Sequence, residues 1–476
     1  MAQIPILNGI TSSASADFRT SYPRNLVPVP YQTDVSQGYL KLAEGLVNFG
    51  LFNASIIGSD RGAINWNGVC YRVMGQFLVS VDANGIVTQL ATLPVGSFVR
   101  FDYSFDRLAI ACSGGLYYWS GVALTQVTDI DLGNVIDMLW IDGYFMTTDG
   151  KNLIVTDLAD PYAVNPLKYG ASESDPDPVV GLLKVRSEVY AMNRYTIEVF
   201  QNVGGSLFPF QRIGGAIIQK GAIGTRTSCV FMETVAFLGS AKNEPPSIHL
   251  INAGQTIEIA TREIQLLLKS YTESQLSTVL MEKRSHDAHE HLYVHLPDQT
   301  LVYDGKASQI VGEPVWFFLS SSATSKGLYR ARNFVWAYDK WLCGDLIDAR
   351  LIGVISQDVG AHYGNEIGYQ FDTPIIYNGG KGAQIHLLEL VALTGRAQNA
   401  TINSVPQYVR RSYSTDGITF SNPKPKSLGL AGETTKRVKW YSCGTMKNWR
   451  MERFEGRTQV PVSFVGLEAE LEGLDS

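Results

Sequence analysis

Four of the seven histidines lie in one short stretch, HDAHEHLYVH, which begins at residue 286. Read with the two-residue period of a β-strand, Asp287, His289, His291 and His295 lie on one face. Imidazole and carboxylate groups are the ligands that zinc prefers, so His289 and His291 could bind one ion together with Asp287 or His295. The H-E-x-x-H signature is absent, because Tyr293 stands at the second histidine position. The alternative is that this face is a contact surface, toward a partner or toward preceding helices.

The same stretch predicts a β-hairpin. Apolar residues on the opposite face indicate a half-buried strand, 297–299 supplies turn chemistry, and 300–303 returns as a second short strand. If the histidine face makes contacts between subunits, the ordinary pKa of imidazole predicts an assembly that is sensitive to mildly acid pH.

A second group of residues with chemical potential is basic and aromatic, and lies near the C-terminus. Aromatic rings interleaved with cations can stack on bases or sugars, but they also occur on an alternating strand face or at the rim of a site for an acidic partner. The candidate contact residues are Lys436, Arg437, Lys439, Trp440, Lys447, Trp449 and Arg450.

Other signals of catalysis are missing. The sequence has no G-x-S-x-G, Walker A or G-x-G-x-x-G motif, and no two carboxylates are marked as a glycosidase pair. We therefore expect no enzyme activity, no resident metal and no cofactor.

Composition and charge bound the remaining classes. The net charge of -6 argues against a protein that grips nucleic acid over its whole surface. The five cysteines are far apart and form no C-x-x-C pair, as expected for buried thiols in a reducing compartment. The first residues have no basic residue ahead of their apolar ones and so do not resemble a secretory signal, and no apolar run reaches the ~20 residues needed to span a bilayer. We expect a soluble protein made in a cytoplasm.

The elements that must position these residues are mostly β-strands. The sequence contains 45 glycines and 23 tyrosines and has long stretches without helical periodicity. Weak repeats of apolar strands and tight turns predict β-propeller blades. They begin near residues 63, 99, 135, 180 and 229, a sixth contains the histidine hairpin, and 329–355 is a seventh or closes the ring with N-terminal strands.

These repeats place the domain boundaries. We predict an irregular N-terminal arm over 1–55, a propeller-like domain of six or seven blades over 56–360, and an antiparallel β-sandwich over 365–476. Helical spacing of leucines predicts a short helical insertion at 261–283, with a capping box at 272–275.

The histidine hairpin also carries a family resemblance. It resembles the corresponding stretch of the tail hub, or packaged-DNA stabilisation, proteins of short-tailed (podovirus) bacteriophages. Further segments resemble that family in the same order, over most of residues 180–420: 219–224, 270–272, 302–304, 329–331, 343–345 and 415–418.

The resemblance implies a structural virion protein with a β-propeller and no catalytic motif. It implies head completion by a hexameric tail ring below the portal-adaptor proteins, which seals packaged DNA, conducts it at ejection and docks a tail needle or plug and tailspikes or fibres. Double-stranded DNA would pass through the lumen without sequence-specific binding, since an acidic lumen repels the duplex. The implied location is the virion tail, after synthesis in the host cytoplasm. The alternative function is a propeller that binds or cleaves host glycans, with or without a metal, and converging carboxylates at the propeller axis would favour it.

Overall fold

A computed structural model describes residues 2–15, 17–31, 38–396 and 407–474 of the chain. Its regular structure is almost entirely antiparallel β-sheet, so the predicted mainly β class is confirmed. No helix among the described residues is long and apolar enough to cross a membrane.

The N-terminal segment is more regular than its prolines suggest. The described parts of residues 1–55 form six short strands, and Pro28 lies in an edge strand, where its missing N–H is tolerated. Three of these strands pair with segments from much later in the chain, which a local pattern does not reveal. The strands are β1 (Ala2–Ile4), β2 (Gly9–Ser12), β3 (Phe18–Ser21), β4 (Leu26–Val29), β5 (Tyr39–Leu42) and β6 (Gly45–Leu51).

The next region forms four sheets of four strands each, and each sheet is one propeller blade. Short hairpins join neighbouring strands, in agreement with the predicted repeats. In the first two blades the strands are β7 (Asp60–Trp66), β8 (Val69–Met74), β9 (Phe77–Val81), β10 (Val87–Thr92), β11 (Arg100–Tyr103), β12 (Leu108–Cys112), β13 (Gly115–Trp119) and β14 (Leu124–Gln126). In the next two they are β15 (Asp137–Ile141), β16 (Tyr144–Thr148), β17 (Asn152–Thr156), β18 (Val164–Ala171), β19 (Val179–Val185), β20 (Glu188–Asn193), β21 (Ile197–Asn202) and β22 (Phe210–Arg212).

Three more sheets complete the propeller. The fifth sheet has five strands and the sixth has four: β23 (Gly221–Ala222), β24 (Ser228–Phe231), β25 (Thr234–Ser240), β26 (Ser247–Asn252), β27 (Gln255–Glu258), β28 (Leu280–His286), β29 (His289–His295), β30 (Thr300–Asp304) and β31 (Trp316–Leu319). The seventh contains β32 (Ala331–Ala337), β33 (Lys340–Asp345) and β34 (Leu351–Ser356), with β6 as its fourth strand. The segment 329–355 is therefore a blade that an N-terminal strand completes.

The inner strands of the seven blades touch in a closed cycle. The order around the axis is β7, β11, β15, β19, β24, β28 and β32, and β32 returns to β7. The apolar residues between blades form separate clusters, because each blade buries both faces against its two neighbours.

Three short helices interrupt the propeller: α1 (Arg262–Leu268), α2 (Glu273–Leu276) and α3 (Gly305–Val311). The predicted capping box at Thr272 is present, since its hydroxyl accepts from the backbone N–H of Gln275 at 3.3 Å. The predicted helical stretch 261–283 ends too late, because 280–283 already belong to β28. Leu280 and Met281 are buried there, which shows that the leucine spacing at this point serves a strand.

The C-terminal region packs two sheets face to face around one large apolar cluster. The predicted β-sandwich is confirmed, and it includes N-terminal strands β1, β4 and β5. Its C-terminal strands are β35 (Ile367–Asp372), β36 (Ile376–Tyr377), β37 (Ala383–Ala392), β38 (Tyr408–Ser414), β39 (Lys424–Ser427), β40 (Val438–Met446), β41 (Trp449–Thr458) and β42 (Ser463–Gly473).

Candidate functional site

The histidine hairpin lies inside the sixth blade. Strand β29 pairs with β28 on one side and β30 on the other. His291 and His295 are only 2% and 3% exposed. The prediction of a half-buried strand is therefore wrong for β29, because neighbouring blades cover both of its faces.

Two of the predicted site residues meet a third that the sequence did not single out. His289, His291 and Asp304 offer one ligand atom each, and these atoms lie within 4.8 Å of one another. Asp304 is the last residue of β30 and also caps helix α3, accepting from the backbone N–H of Ala307 at 3.1 Å. An aspartate that ends a strand just before a helix is the signal that could have identified it.

The distances in this cluster favour hydrogen bonding. His289 Nδ1 lies 2.5 Å from Asp304 Oδ2, whereas His291 Nε2 lies 3.4 Å from the same oxygen. Two ligands of one tetrahedral zinc are about 3.3 Å apart, given metal–ligand bonds of about 2.0–2.2 Å. The second distance suits a shared ion but the first does not, so these residues could hold a metal only if His289 and Asp304 moved apart.

The protonation of the cluster follows from burial. Burial lowers the pKa of His291, which favours the neutral imidazole. Burial alone would raise the pKa of Asp304, but the hydrogen bonds from His289 and His291 outweigh it and lower the pKa. The cluster thus holds a buried carboxylate between imidazoles.

The other two candidate ligands lie elsewhere. Asp287 is exposed in the turn between β28 and β29, where its carboxylate accepts from the side-chain amide of Gln357. His295 lies at the far end of β29, with Nε2 2.9 Å from Glu282 Oε1 and Nδ1 3.3 Å from Thr300 Oγ1. Neither residue is among the three grouped ligands.

The hairpin packs on the N-terminal segment of the same chain. The sequence instead suggested contact with the preceding helices or with a neighbouring subunit. Glu44, just before β6, forms a buried ion pair with Arg284, and its Oε2 lies 3.5 Å from His286 Nε2. Arg284 also donates from Nε to the hydroxyl of Tyr293 at 3.0 Å. This histidine network therefore joins the sixth blade to the segment that closes the seventh.

A cavity of about 380 Å³ lies on the propeller axis, where the alternative function would need converging carboxylates. The acidic residue in its lining is Glu282, whose oxygens accept from the backbone N–H groups of Asn333 at 3.1 Å and Phe334 at 2.9 Å. The cavity lining described by the structure thus contains no pair of free carboxylates of the kind that glycosidases use.

The predicted basic and aromatic patch is not one surface. Trp440 is 2% exposed and Arg450 is 0% exposed, and both lie within the sandwich. Arg437 and Lys439 instead flank Glu389 on the outer face, at 2.5 Å and 3.6 Å. The alternation along β40 explains the difference between Lys439 and Trp440, because successive side chains point to opposite faces of a sheet.

The three remaining candidates in that group are more exposed but do not form a single cluster. Lys436 pairs with Glu433 at 3.1 Å, and the ring of Trp449 lies 6.0 Å from that of Phe18. Lys447 is exposed in the turn between β40 and β41. A contact role for these residues stays a prediction.

Comparison with known proteins covers nearly the whole chain. Residues 2–360 match the family described as bacteriophage P22 Gp10, beta-propeller, and residues 368–472 match bacteriophage P22 Gp10, beta-sandwich. The tail hub protein gp10 of Salmonella phage P22 is 27% identical over 494 residues, which cover 99% of this chain and 99% of that protein.

Solved structures resemble the chain only distantly. The N-terminal domain of Nup159 is 9% identical and covers 71% of this chain and 99% of its own, with a TM-score of 0.42. PorZ of Porphyromonas gingivalis is 11% identical and covers 80% of this chain and 46% of its own, with a TM-score of 0.39. These scores are too low to support any argument about this protein.

Proposed function

The chain belongs to the bacteriophage P22 Gp10 family, and from that membership we propose that it forms the hub ring of a short phage tail. It is a structural tail protein, homologous to a tail hub, and so a component of the virion tail that associates with other tail components. The finer proposal is a hexamer below the portal-adaptor proteins that seals packaged DNA and conducts it at ejection. Needle or plug and tailspikes or fibres would dock on the same ring.

The observation that carries this proposal is the order of two matched domains along one chain. A propeller match is followed by a sandwich match, and together they leave only short unmatched segments. The net charge of -6 is consistent with a conduit that does not hold the DNA phosphates. Six copies around an axis require heterologous contacts that close into a ring.

The structure changes where those contacts can arise. The sequence predicted an irregular N-terminal arm over 1–55, but β1, β4, β5 and β6 are all paired within their own chain. The helix pair α1 and α2 buries Ile264, Leu268 and Leu276, while the outward side chains of α2 stay exposed. We therefore propose that blade surfaces, the helix pair and the outer sandwich faces make the subunit contacts.

The glycan-directed alternative finds no support. It needs carboxylates that converge on the propeller axis, and Glu282 there is bonded to backbone N–H groups. We propose that the protein has no catalytic activity in the tail.

The test is native mass measurement of the purified full chain, alone and mixed with a portal-adaptor complex. We expect a six-fold ring that joins the complex, and electron microscopy of the mixture should place it below the adaptor. The matched control is the same chain mixed with the portal alone, which should not bind if the adaptor provides the docking surface. A chain that remains monomeric and never joins the complex would refute the proposal.

A further inference from the structure

The axis of the propeller contains two connected cavities lined by inner strands. The first, of about 380 Å³, and the second, of about 290 Å³, share Phe98, Arg226 and Asn333 in their linings. These three residues come from different blades, so the shared region lies on the axis itself. Arg226 is fixed there because its backbone carbonyl accepts from the N–H of Met281 at 2.9 Å.

Most acidic groups of this region already have cationic partners. Asp60 accepts from Arg72 at 2.9 Å, and Asp345 accepts from Arg330 at 2.7 Å. On the basic side, Arg100 of the first cavity pairs with Asp137 at 2.7 Å. The charges within each of these pairs cancel. The net charge of the cavities therefore depends on the charged side chains that have no such partner.

The remaining charges are mainly positive. Four cations line the cavities without a carboxylate partner within hydrogen-bond distance among the described residues, against the one carboxylate of Glu282. These cations are Arg61, Arg226, Lys283 and Arg332. The guanidinium of Arg61 donates from Nη1 and Nη2 to backbone carbonyls, which leaves its positive charge unbalanced.

Arg226 and Arg332 are the least satisfied of the four. The Nε atoms of both are buried and have no hydrogen-bond partner in the described part of the chain. The guanidinium of Arg226 lies 5.4 Å from the ring centre of Phe98, which fixes its plane but provides no acceptor. Burial lowers the pKa of Arg226 to about 10; the negative charge of Glu282 opposes this shift, whereas the nearby Arg332 and Arg100 add to it. Both side chains are half-buried, and partly burying a cation that has no hydrogen-bonded anion is costly, which favours a bound anion here.

We propose that the axial cavity binds a phosphate group between the guanidinium groups of Arg226 and Arg332. Guanidinium groups present a planar fork of N–H donors that matches the oxygens of an oxyanion. A dianion balances the excess of cations better than a single carboxylate does. The pocket is too small and too enclosed by blades for a DNA duplex, so the ligand is inorganic phosphate or the phosphate group of a small ester.

Calorimetric titration of the full-length protein with inorganic phosphate, in a chloride buffer of constant ionic strength, tests this site. We expect binding of one phosphate per chain, with acetate binding at least ten-fold more weakly. Arg226→Gln and Arg332→Gln should each weaken phosphate binding at least ten-fold, and Arg226→Lys should retain part of it. Competition by glucose 6-phosphate distinguishes inorganic phosphate from the phosphate group of a small ester. If this ester does not displace inorganic phosphate, free phosphate alone is the ligand.

The matched control is Arg186→Gln, because Arg186 lies off the axis in an ion pair with Glu233 whose side chains are 78% and 85% exposed. It should bind phosphate like the parent protein. Thermal melts in phosphate-free buffer separate a binding defect from misfolding, since removing an unpaired cation should leave the melting temperature unchanged or higher. The proposal would be overturned if the parent protein did not bind phosphate, or if both axial variants bound it as tightly as the parent does.

Discussion

Replacing Asn25 is the sharpest test of how the two domains are joined. Asn25 is 0% exposed, and its Nδ2 donates to the carbonyls of Ser320 in the propeller and Gly368 in the sandwich, each at 2.8 Å. Its Oδ1 accepts from the backbone N–H of Ser320, also at 2.8 Å. One side chain therefore satisfies three buried backbone groups at the junction.

The expected loss follows from those bonds and from the backbone. Asn25→Ala leaves the three groups unsatisfied, at about 1 kcal/mol or more each. Asn25 also has a φ of 53°, where alanine costs about 1 kcal/mol more than asparagine or glycine. We expect the free energy of unfolding to fall by about 4 kcal/mol for Asn25→Ala and by about 3 kcal/mol for Asn25→Gly.

Urea unfolding followed by circular dichroism and tryptophan fluorescence measures both values. Asn67 offers a matched control, because it is exposed and has a φ of 51°. Asn67→Ala should cost only the backbone part, about 1 kcal/mol. If Asn25→Ala were no more destabilising than Asn67→Ala, the junction would not depend on these bonds and the reasoning would fail. Loss of the junction should also separate the unfolding of the two domains into two transitions.

Three further predictions concern buried charge. Burial lowers the pKa of His249 to about 4 and of His362 to about 3. As the pH falls, these histidines are protonated in the unfolded chain before they are protonated in the folded protein, so the free energy of unfolding is at its full value above about pH 7 and is lower by about 2 kcal/mol per histidine at pH 5. Urea unfolding at both pH values measures the difference. Glu452→Gln should lower the free energy of unfolding by about 3–5 kcal/mol, since the buried carboxylate compensates two buried arginines of the sandwich. Chelation by EDTA should leave the melting temperature unchanged, because His289 and Asp304 are already hydrogen-bonded.

Each of these has a control and a contrary result. Equal stability at pH 7 and pH 5 would mean that the buried imidazoles ionise as freely as in the unfolded chain. For the sandwich, Glu233→Gln removes an exposed ion pair and should change stability by less than about 0.5 kcal/mol. A melting temperature that falls on chelation and recovers with zinc would establish a metal at the histidine network.

The sequence predicted the propeller well because a blade is a local structure. Each blade is built mainly from consecutive strands and tight turns, so alternation and turn residues report it directly. Closure of the ring by an N-terminal strand was predicted only as one of two alternatives, because the partner of β6, β34, lies far along the chain. The helical reading of Leu280 failed because a buried strand and a buried helix can share an apolar run.

The candidate site was predicted only in part. The two-residue spacing correctly placed His289 and His291 on one side of a strand, but it could not reveal Asp304, which reaches them from the next strand. For the basic patch, counting cations near aromatic rings could not show that Arg450 and Trp440 point into the core. Burial and charge pairing depend on the sheet that covers a residue, and local composition does not specify that sheet.

The pairing of the first strands with the last has a consequence for how the protein is made. Strand β6 can pair with β34, and β1 and β5 can pair with β42, only after these later strands have been synthesised. Neither domain can therefore be completed until most of the chain has been made. At roughly 5–20 residues per second, β6 remains without β34 for about 15–60 s, and β1 remains without β42 for about 23–92 s. A chain that stops before β42 would leave a sandwich sheet open and an apolar edge exposed. The topology thus makes full-length translation a condition of folding, which would keep incomplete chains out of assembling virions.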